Sequence, residues 1–350
     1  MAQDGIDILL VDDSAMMRRA VTAMLEPYSS LRVVGAAENG AQALEMIGQL
    51  APDLVLLDVN MPVMGGLTAL KHIMISTPLP VVMLSAMTQD GSVAAFDSLR
   101  FGAVDYIAKP SGLAAASLEE QAEQIVAKVK AAARVELGRI RYIKAVRQQG
   151  GESVSASPLE KVIVMGGAEG GCGVMLKVIP SLARQLPAAV VAVLHEPAGH
   201  VEALAHYLDG YSAFRVRPAA DGDKLLPGNC YLCAGDQYVT LERGEGEELG
   251  LRLNPAPFTS LGRRGAVDML MYSAAELLGE QAVAVIMSGL GDDGAEGLCE
   301  VRSCGGATLV QSPQNCLHPS MALKAQVRCL ADDVIFDHEL AQAISAQVSL

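Results

Sequence analysis

Apolar runs of strand length alternate with segments of helical periodicity through the first part of the chain. The runs with the apolar character of buried parallel strands are Asp7–Asp12, Arg32–Ala36, Leu54–Asp58, Val81–Leu84 and Asp105–Ile107. The helices predicted between them run from the Ser14 cap to about Glu26 and over Gly40–Leu50, Gly66–Ile75 and Ser92–Arg100. This regular alternation predicts a doubly wound parallel sheet with right-handed crossovers.

A second alternation of the same kind begins at Lys161. Its strand candidates are Lys161–Met165, Ala188–Leu194, Phe214–Arg217, Asn229–Cys233, Ala282–Met287, Ala307–Gln311 and Asp333–Phe336. Between the two alternations, residues 117–146 are strongly helical, and residues 148–158 are polar and rich in Gly and Ser, which is typical of a flexible tether. We therefore expect the α/β class, with two doubly wound parallel-sheet domains at 1–125 and 159–350 joined by a helical and flexible linker at 126–158.

Composition and charge narrow the class of protein. The chain has 350 residues, of which 51% are apolar, so two domains with ample cores are possible. No apolar run approaches the ~18 residues of a membrane span, and the first five residues lack the features of a secretory signal. The net charge of −14 disfavours nucleic acid as a partner. We expect a cytoplasmic protein that neither inserts into membranes nor binds nucleic acid.

All seven cysteines lie in the second part of the chain. They are Cys172, Cys230, Cys233, Cys299, Cys304, Cys316 and Cys329. An odd number of cysteines in a chain without an evident leader predicts reduced thiols. Cys230 and Cys233 form a CxxC pair, but no second ligand pair follows at the spacing of a zinc finger. We therefore predict that these two side chains are buried strand residues.

Three apolar runs of the first domain end in charged side chains. Asp12 and Asp13 follow the first strand, Asp58 ends the third, and Lys109 follows the fifth. Parallel strands present their carboxyl ends at one sheet edge, so these groups should meet there. Clustered carboxylates repel each other unless a cation lies among them, and hard oxygen ligands favour Mg²⁺. The pattern predicts a phosphate-acceptor pocket, because ordinary solvated strand ends would not supply so many matched groups.

Residues 6–125, on these motifs, resemble the receiver domains of two-component response regulators, which have a flavodoxin-like fold. The resemblance implies that Asp58 accepts the phosphoryl group from a histidine kinase. It also implies that Mg²⁺ is bound by Asp12, Asp13, Asp58 and the backbone carbonyl of Asn60. Ser85 takes the position of the switch hydroxyl, Lys109 that of the phosphoryl contact, and Tyr106 that of the aromatic switch residue.

Residues 160–345 resemble the catalytic domain of the chemotaxis protein-glutamate methylesterases. The segment Val164–Gly171 matches the strand, loop and helix that carry the serine nucleophile of that family. The segment Val193–Pro197 matches the catalytic histidine segment, and Ser288–Ala295 matches the catalytic aspartate segment. By this resemblance His195 and Asp293 are two members of a triad whose nucleophile position holds Ala168.

A methyl group at the nucleophile position cannot attack an ester. Further departures from the family pattern accompany the loss of the serine. They are Arg263-Arg264-Gly265-Ala266 in place of His-Arg-Pro-Ser, His200-Val201 in place of aromatic-Thr, Ser320-Met321-Ala322 in place of Gly-Met-Pro, and Tyr238 in place of a histidine. Losing polar groups of the cleft together with the nucleophile indicates a domain that has stopped hydrolysing, while glycines such as Gly170 and Gly294 preserve the turns.

Substitute nucleophiles have weak support. Cys172 lies four residues beyond Ala168, which on a helix displaces it by about 5–6 Å. Glu169 is closer but suits water activation better than direct attack. The other histidines, His72, His200, His206, His318 and His338, are scattered and are predicted to be surface or packing residues.

Three functions remain open at this point. The first is a phosphorylation-controlled regulator whose second domain binds without hydrolysing, with chemoreceptor cytoplasmic domains as candidate partners. The second is an active protein-glutamate methylesterase and protein-glutamine deamidase, in which phosphorylation opens the cleft. The third is an interaction scaffold unrelated to chemoreceptors, with the acidic second domain as its docking surface.

Overall fold

The computed structural model describes residues 5–85, 93–110, 115–138, 158–244, 248–255 and 265–349. Predictions made for Ser92, Arg263, Arg264 and most of the linker fall outside these residues. The chain divides into two compact units, Met1–Tyr142 and Ile143–Leu350. Among the described residues, no helix combines the length and apolar character that a membrane crossing requires.

The first unit alternates strands and helices as predicted. Its elements are β1 (Ile6–Val11), α1 (Ala15–Leu25), β2 (Leu31–Ala37), α2 (Gly40–Leu50), β3 (Leu54–Asp58), α3 (Gly66–Ser76), β4 (Val81–Ser85), α4 (Val93–Arg100), β5 (Asp105–Ala108) and α5 (Ala115–Ala132). The five strands form a parallel sheet in the order β2-β1-β3-β4-β5. The predicted fold class of this unit is confirmed.

The central strands of this sheet are apolar because helices cover both of their faces. Leu9, Leu10, Val55 and Leu56 are all fully buried. Burial of a leucine or valine side chain contributes about 1.5–3 kcal/mol, which favours this layered arrangement. Val11 of β1 pairs with Leu57 of β3, so both strands end at the same level of the sheet.

The helix predicted over residues 117–146 is too long in the part that the structure describes. α5 ends at Ala132, and the chain leaves it through a tighter turn in which the Val135 N–H donates to the Ala132 carbonyl over 3.1 Å. Leu137 then packs against the apolar core of the first unit. Helix propensity alone favours continuation, but the tertiary contact of the partly buried Leu137 favours the turn.

The second unit has a larger sheet. Its elements are β6 (Lys161–Gly167), α6 (Gly171–Val178), β7 (Ala188–Leu194), α7 (Ala198–Tyr211), β8 (Arg215–Pro218), β9 (Asn229–Ala234), β10 (Gln237–Arg243), β11 (Leu249–Pro255), α8 (Ala266–Leu278), β12 (Ala282–Ile286), α9 (Ala295–Ser303), β13 (Ala307–Gln311), α10 (Ser320–Cys329), β14 (Asp333–Ile335) and α11 (Asp337–Val348). Seven strands form a parallel sheet in the order β14-β13-β12-β6-β7-β9-β8, which confirms the predicted doubly wound class.

The antiparallel hairpin β10–β11 is an addition that the sequence analysis does not predict. Val239, Leu241 and Leu251 of the hairpin are buried in the same apolar cluster as residues of α8. In β10 the buried residues alternate with more exposed ones. The run is short and mixed in polarity, so its period of two is not distinctive without the surface against which it packs.

The loop between β3 and α3 contains a residue with a strained backbone conformation. Val63 has φ of 65° and is 88% exposed. A β-branched residue in the left-handed region costs about 1–2 kcal/mol, and no burial offsets that cost here.

We therefore expect Val63→Gly to raise the free energy of unfolding of the first unit by about 1 kcal/mol, because glycine tolerates positive φ. Urea denaturation of the full chain measures the change. Val63→Ala, which keeps a Cβ, is the matched control and should gain less. Equal stability of the two variants would show that the backbone conformation is not the cause.

Candidate functional site

The first site is an acidic pocket at the carboxyl edge of the first sheet. Asp12 follows β1, and Asp58 is the last residue of β3, so the β1–β3 register places them side by side. Oxygens of Asp12, Asp13 and Asp58 all lie within 4.8 Å of one another. Asp12 and Asp58 are buried, whereas Asp13 is exposed. The structure thus brings the three predicted carboxylates together.

Lys109 balances part of this negative charge. Its Nζ lies 2.7 Å from Asp12 Oδ2 and 2.8 Å from Asp58 Oδ2. Burial lowers the pKa of Lys109, but the bonds to Asp12 and Asp58 outweigh it and raise the pKa overall. Burial is the largest influence on Asp58 and raises its pKa, although Lys109 opposes the effect.

The donor set of the pocket fits Mg²⁺. Three carboxylates face one ammonium group, so the pocket keeps an excess of negative charge. Asp12 Oδ2 and Asp58 Oδ2 are buried and share the single ammonium group of Lys109. The Asn60 backbone bonds to the Asp58 carboxyl, which places Asn60 beside the pocket. Hard oxygen donors with unmet charge are the environment that Mg²⁺ prefers.

Ser85 lies on β4, the strand next to that of Asp58, and Tyr106 lies on β5, one strand further along the sheet. Ser85 ends β4, is buried and pairs with Ala108, the residue before Lys109. Tyr106 of β5 pairs with Met83 of β4, and the Tyr106 side chain packs against the apolar core. Lys128 Nζ donates to the Tyr106 carbonyl over 2.8 Å and lies 5.3 Å from its ring centroid.

The second site is a histidine–aspartate pair at the carboxyl edge of the second sheet. His195 Nε2 lies 2.7 Å from Asp293 Oδ2. Asp293 also accepts the N–H groups of Val267 at 3.1 Å and Asp268 at 3.0 Å, both in the first turn of α8. Burial is the largest single influence on Asp293 and raises its pKa. The bonds from His195 and the two N–H groups outweigh burial and lower the pKa overall.

Ala168 leaves the second sheet at the same edge as this pair. It follows β6 directly, and Gly167 pairs with Leu194, so Ala168 and His195 leave neighbouring strands at the same level. The chain then turns through Gly170, with φ of 89°, into α6. This sharp strand-to-helix turn is the geometry of a nucleophile elbow, but a methyl group occupies its apex.

Two residues that hold this site were not predicted as functional. A Cβ at Gly235 would lie 2.1 Å from His195 Nδ1, so the imidazole needs glycine there. Asp268 accepts the Gly297 N–H over 2.7 Å, and burial, with the nearby Asp293 charge, raises its pKa to about 6. The sequence signal that could have identified Gly235 is its position just after a predicted strand.

Glu169 and the cysteines occupy distinct settings. The Leu290 N–H lies 3.2 Å from Glu169 Oε2, so this carboxylate has a fixed partner. Cys230 and Cys233 are buried on β9, as predicted, and burial with the nearby Asp236 raises the pKa of Cys233 to about 12. Cys172 instead forms a group with Glu196 and His200, and the sequence analysis predicted no such grouping.

Comparisons with known proteins agree with both halves of the fold. Residues 8–123 match the family model of the response regulator receiver domain, and residues 163–344 match that of the CheB methylesterase. The catalytic domain of Thermotoga maritima CheB methylesterase is a structural neighbour with 28% identity and a TM-score of 0.51, covering 55% of this chain and 99% of that one.

Two full-length relatives carry the name protein-glutamate methylesterase/protein-glutamine glutaminase. The protein of Halalkalibacterium halodurans is 37% identical over 99% of both chains. That of Pyrococcus horikoshii is 34% identical over 99% of this chain and 94% of its own. The chain therefore belongs to the CheB methylesterase family and carries a response regulator receiver domain.

Proposed function

We propose that this chain is a phosphorylation-regulated response regulator whose methylesterase-type domain acts by binding and does not hydrolyse. The observation that carries the proposal is the methyl group of Ala168 at the apex of the elbow, beside an intact His195–Asp293 pair. Loss of a triad nucleophile costs several orders of magnitude in rate, even where the remaining groups keep their geometry.

The retained pair does not require catalysis to explain it. The first N–H groups of a helix have no intrahelical partner, and Asp293 accepts two of them at the start of α8. A carboxylate at a helix N-terminus is also favoured by the helix dipole. We therefore propose that His195 and Asp293 now hold the cleft and α8 in place.

Phosphoryl transfer is the proposed chemistry of the receiver domain. An Asp58 carboxylate oxygen attacks phosphorus and forms a new P–O bond, while the P–N bond of a phosphohistidine on the kinase breaks. Lys109 neutralises charge on the transferred group from its position beside Asp58. Mg²⁺, when bound by Asp12, Asp13, Asp58 and the Asn60 carbonyl, would supply further neutralisation.

The new phosphoryl oxygens would then change the neighbouring strands. We propose that the Ser85 hydroxyl moves towards them and that Tyr106 fills the space it leaves. The partners of this cycle are a histidine kinase in the cytoplasm and, for the second domain, the cytoplasmic parts of chemoreceptors. We propose domain limits of 1–125 for the receiver domain, 126–158 for the linker and 159–350 for the methylesterase-type domain.

An active methylesterase and deamidase is the second candidate. The bond between His195 and Asp293 favours it, because the pair could still orient a water molecule. Glu169, held by the Leu290 N–H, could share in activating that water. The names of the full-length relatives also support this alternative.

Acetyl phosphate with Mg²⁺ should phosphorylate the unchanged chain and retard it on a Phos-tag gel, whereas Asp58→Ala should not shift. Asp53→Asn is the matched control, because Asp53 is an exposed acid immediately before the other end of the same strand. Addition of EDTA should abolish the shift. An equal shift for Asp58→Ala would remove Asp58 as the acceptor.

Ala168→Ser should restore hydrolysis if the rest of the cleft is competent. We expect methanol release from a methylated receptor fragment to be at least about a thousandfold faster for the phosphorylated variant than for the phosphorylated unchanged chain. The double variant Ala168→Ser/Asp293→Asn is the control and should lose most of that gain. Methanol release by the unchanged chain that Asp293→Asn abolishes would instead establish the second candidate.

A further inference from the structure

A compact group of three potential metal ligands lies outside both sites described above. Cys172 is in the first turn of α6, Glu196 is in the loop after β7, and His200 is in the first turn of α7. One ligand atom of each lies within 4.8 Å of the others. His200 Nδ1 is 3.2 Å from Glu196 Oε2.

The backbone sets these three positions. Strands β6 and β7 are parallel neighbours, so the helices that follow them begin at the same edge of the sheet. Glu196 N–H donates to the Leu194 carbonyl over 2.8 Å, and His200 N–H donates to the Pro197 carbonyl over 2.9 Å. Glu196 and His200 are four residues apart and face each other across this turn.

The burial of the group is what calls for a cation. Cys172 is 5% exposed and His200 is 4% exposed, while the Glu196 side chain keeps 20% exposure. A thiol and an imidazole that are shielded from water beside a carboxylate form a favourable environment for a cation, whose charge their donor atoms would balance. A thiolate, a carboxylate and a neutral imidazole together neutralise one divalent ion.

The donor types select a particular class of metal. Thiolate and imidazole ligands favour Zn²⁺, whereas the all-carboxylate pocket of the receiver domain favours Mg²⁺. At usual Zn²⁺ bond lengths of about 2.0–2.3 Å, tetrahedral ligand atoms lie roughly 3.3–3.8 Å apart. The ligand atoms of the group lie within 4.8 Å of one another, and the His200 Nδ1 to Glu196 Oε2 distance is 3.2 Å. Within the described residues the receiver pocket is the other such group.

We propose that Cys172 Sγ, a Glu196 carboxylate oxygen and a His200 ring nitrogen bind one Zn²⁺ ion next to the loop that carries His195. The partial exposure of Glu196 provides the route of entry. Three protein ligands leave a fourth position for water or another small ligand. This site is independent of whether the domain hydrolyses, because it needs neither Ala168 nor Asp293.

Cobalt titration tests the site in the full chain. The protein is stripped with a chelator, reduced, supplied with excess Mg²⁺ to occupy the receiver pocket, and titrated with Co²⁺ under nitrogen. We expect about one Co²⁺ per chain, with a thiolate-to-cobalt charge-transfer band that Zn²⁺ abolishes by displacing the cobalt. Cys172→Ala should lose the band, and Glu196→Gln and His200→Gln should each weaken binding by at least about tenfold.

Cys316→Ala is the matched control, because Cys316 is also a buried thiol of this unit but is not in the group. It should keep both the band and the stoichiometry. A second measurement needs no variant: Zn²⁺ should slow alkylation of Cys172 in the unchanged chain, as read by peptide mass spectrometry. The absence of a charge-transfer band at stoichiometric Co²⁺, a band that survives Cys172→Ala, or unprotected Cys172 would each overturn the proposal.

Discussion

The parallel register of neighbouring strands is the constraint on which every site in this chain depends. In the first unit, pairing of Val11 with Leu57 brings Asp12 and Asp58 to one edge. In the second, pairing of Gly167 with Leu194 does the same for Ala168 and His195. Hydrogen bonding fixes these levels to within a residue, so side chains far apart in sequence meet without any direct attraction between them.

The balance of charge at the carboxyl edge of each sheet then determines which charged groups can bind or remain buried there. The receiver pocket holds more negative charge than Lys109 neutralises, and this excess favours a divalent cation. In the second unit, Asp293 has enough donors from His195 and from α8 to remain ionised while buried. These contacts stabilise that carboxylate without any contribution from a nucleophile.

The carboxyl edge of the second sheet carries two groups of side chains. Ala168 presents a methyl group just after β6, near the His195–Asp293 pair in the fold, while Cys172 and His200 place a thiol and an imidazole in the first turns of α6 and α7. The same edge therefore combines a histidine–aspartate pair with a group of soft and borderline potential metal ligands around Glu196. The proposal that the domain binds without hydrolysing rests on Ala168, and the proposed metal site rests on the second group.

The sequence alone determined the α/β class, the two alternations and the carboxylates of the receiver pocket, because apolar periodicity and strand-end charges are local signals. It could not place the end of α5, the hairpin β10–β11, the dependence of His195 on Gly235, or the meeting of Cys172 with Glu196 and His200. Each of these rests on contacts between elements that are distant along the chain. Only tertiary packing decides which short-range preference yields and which scattered side chains come within reach of one another.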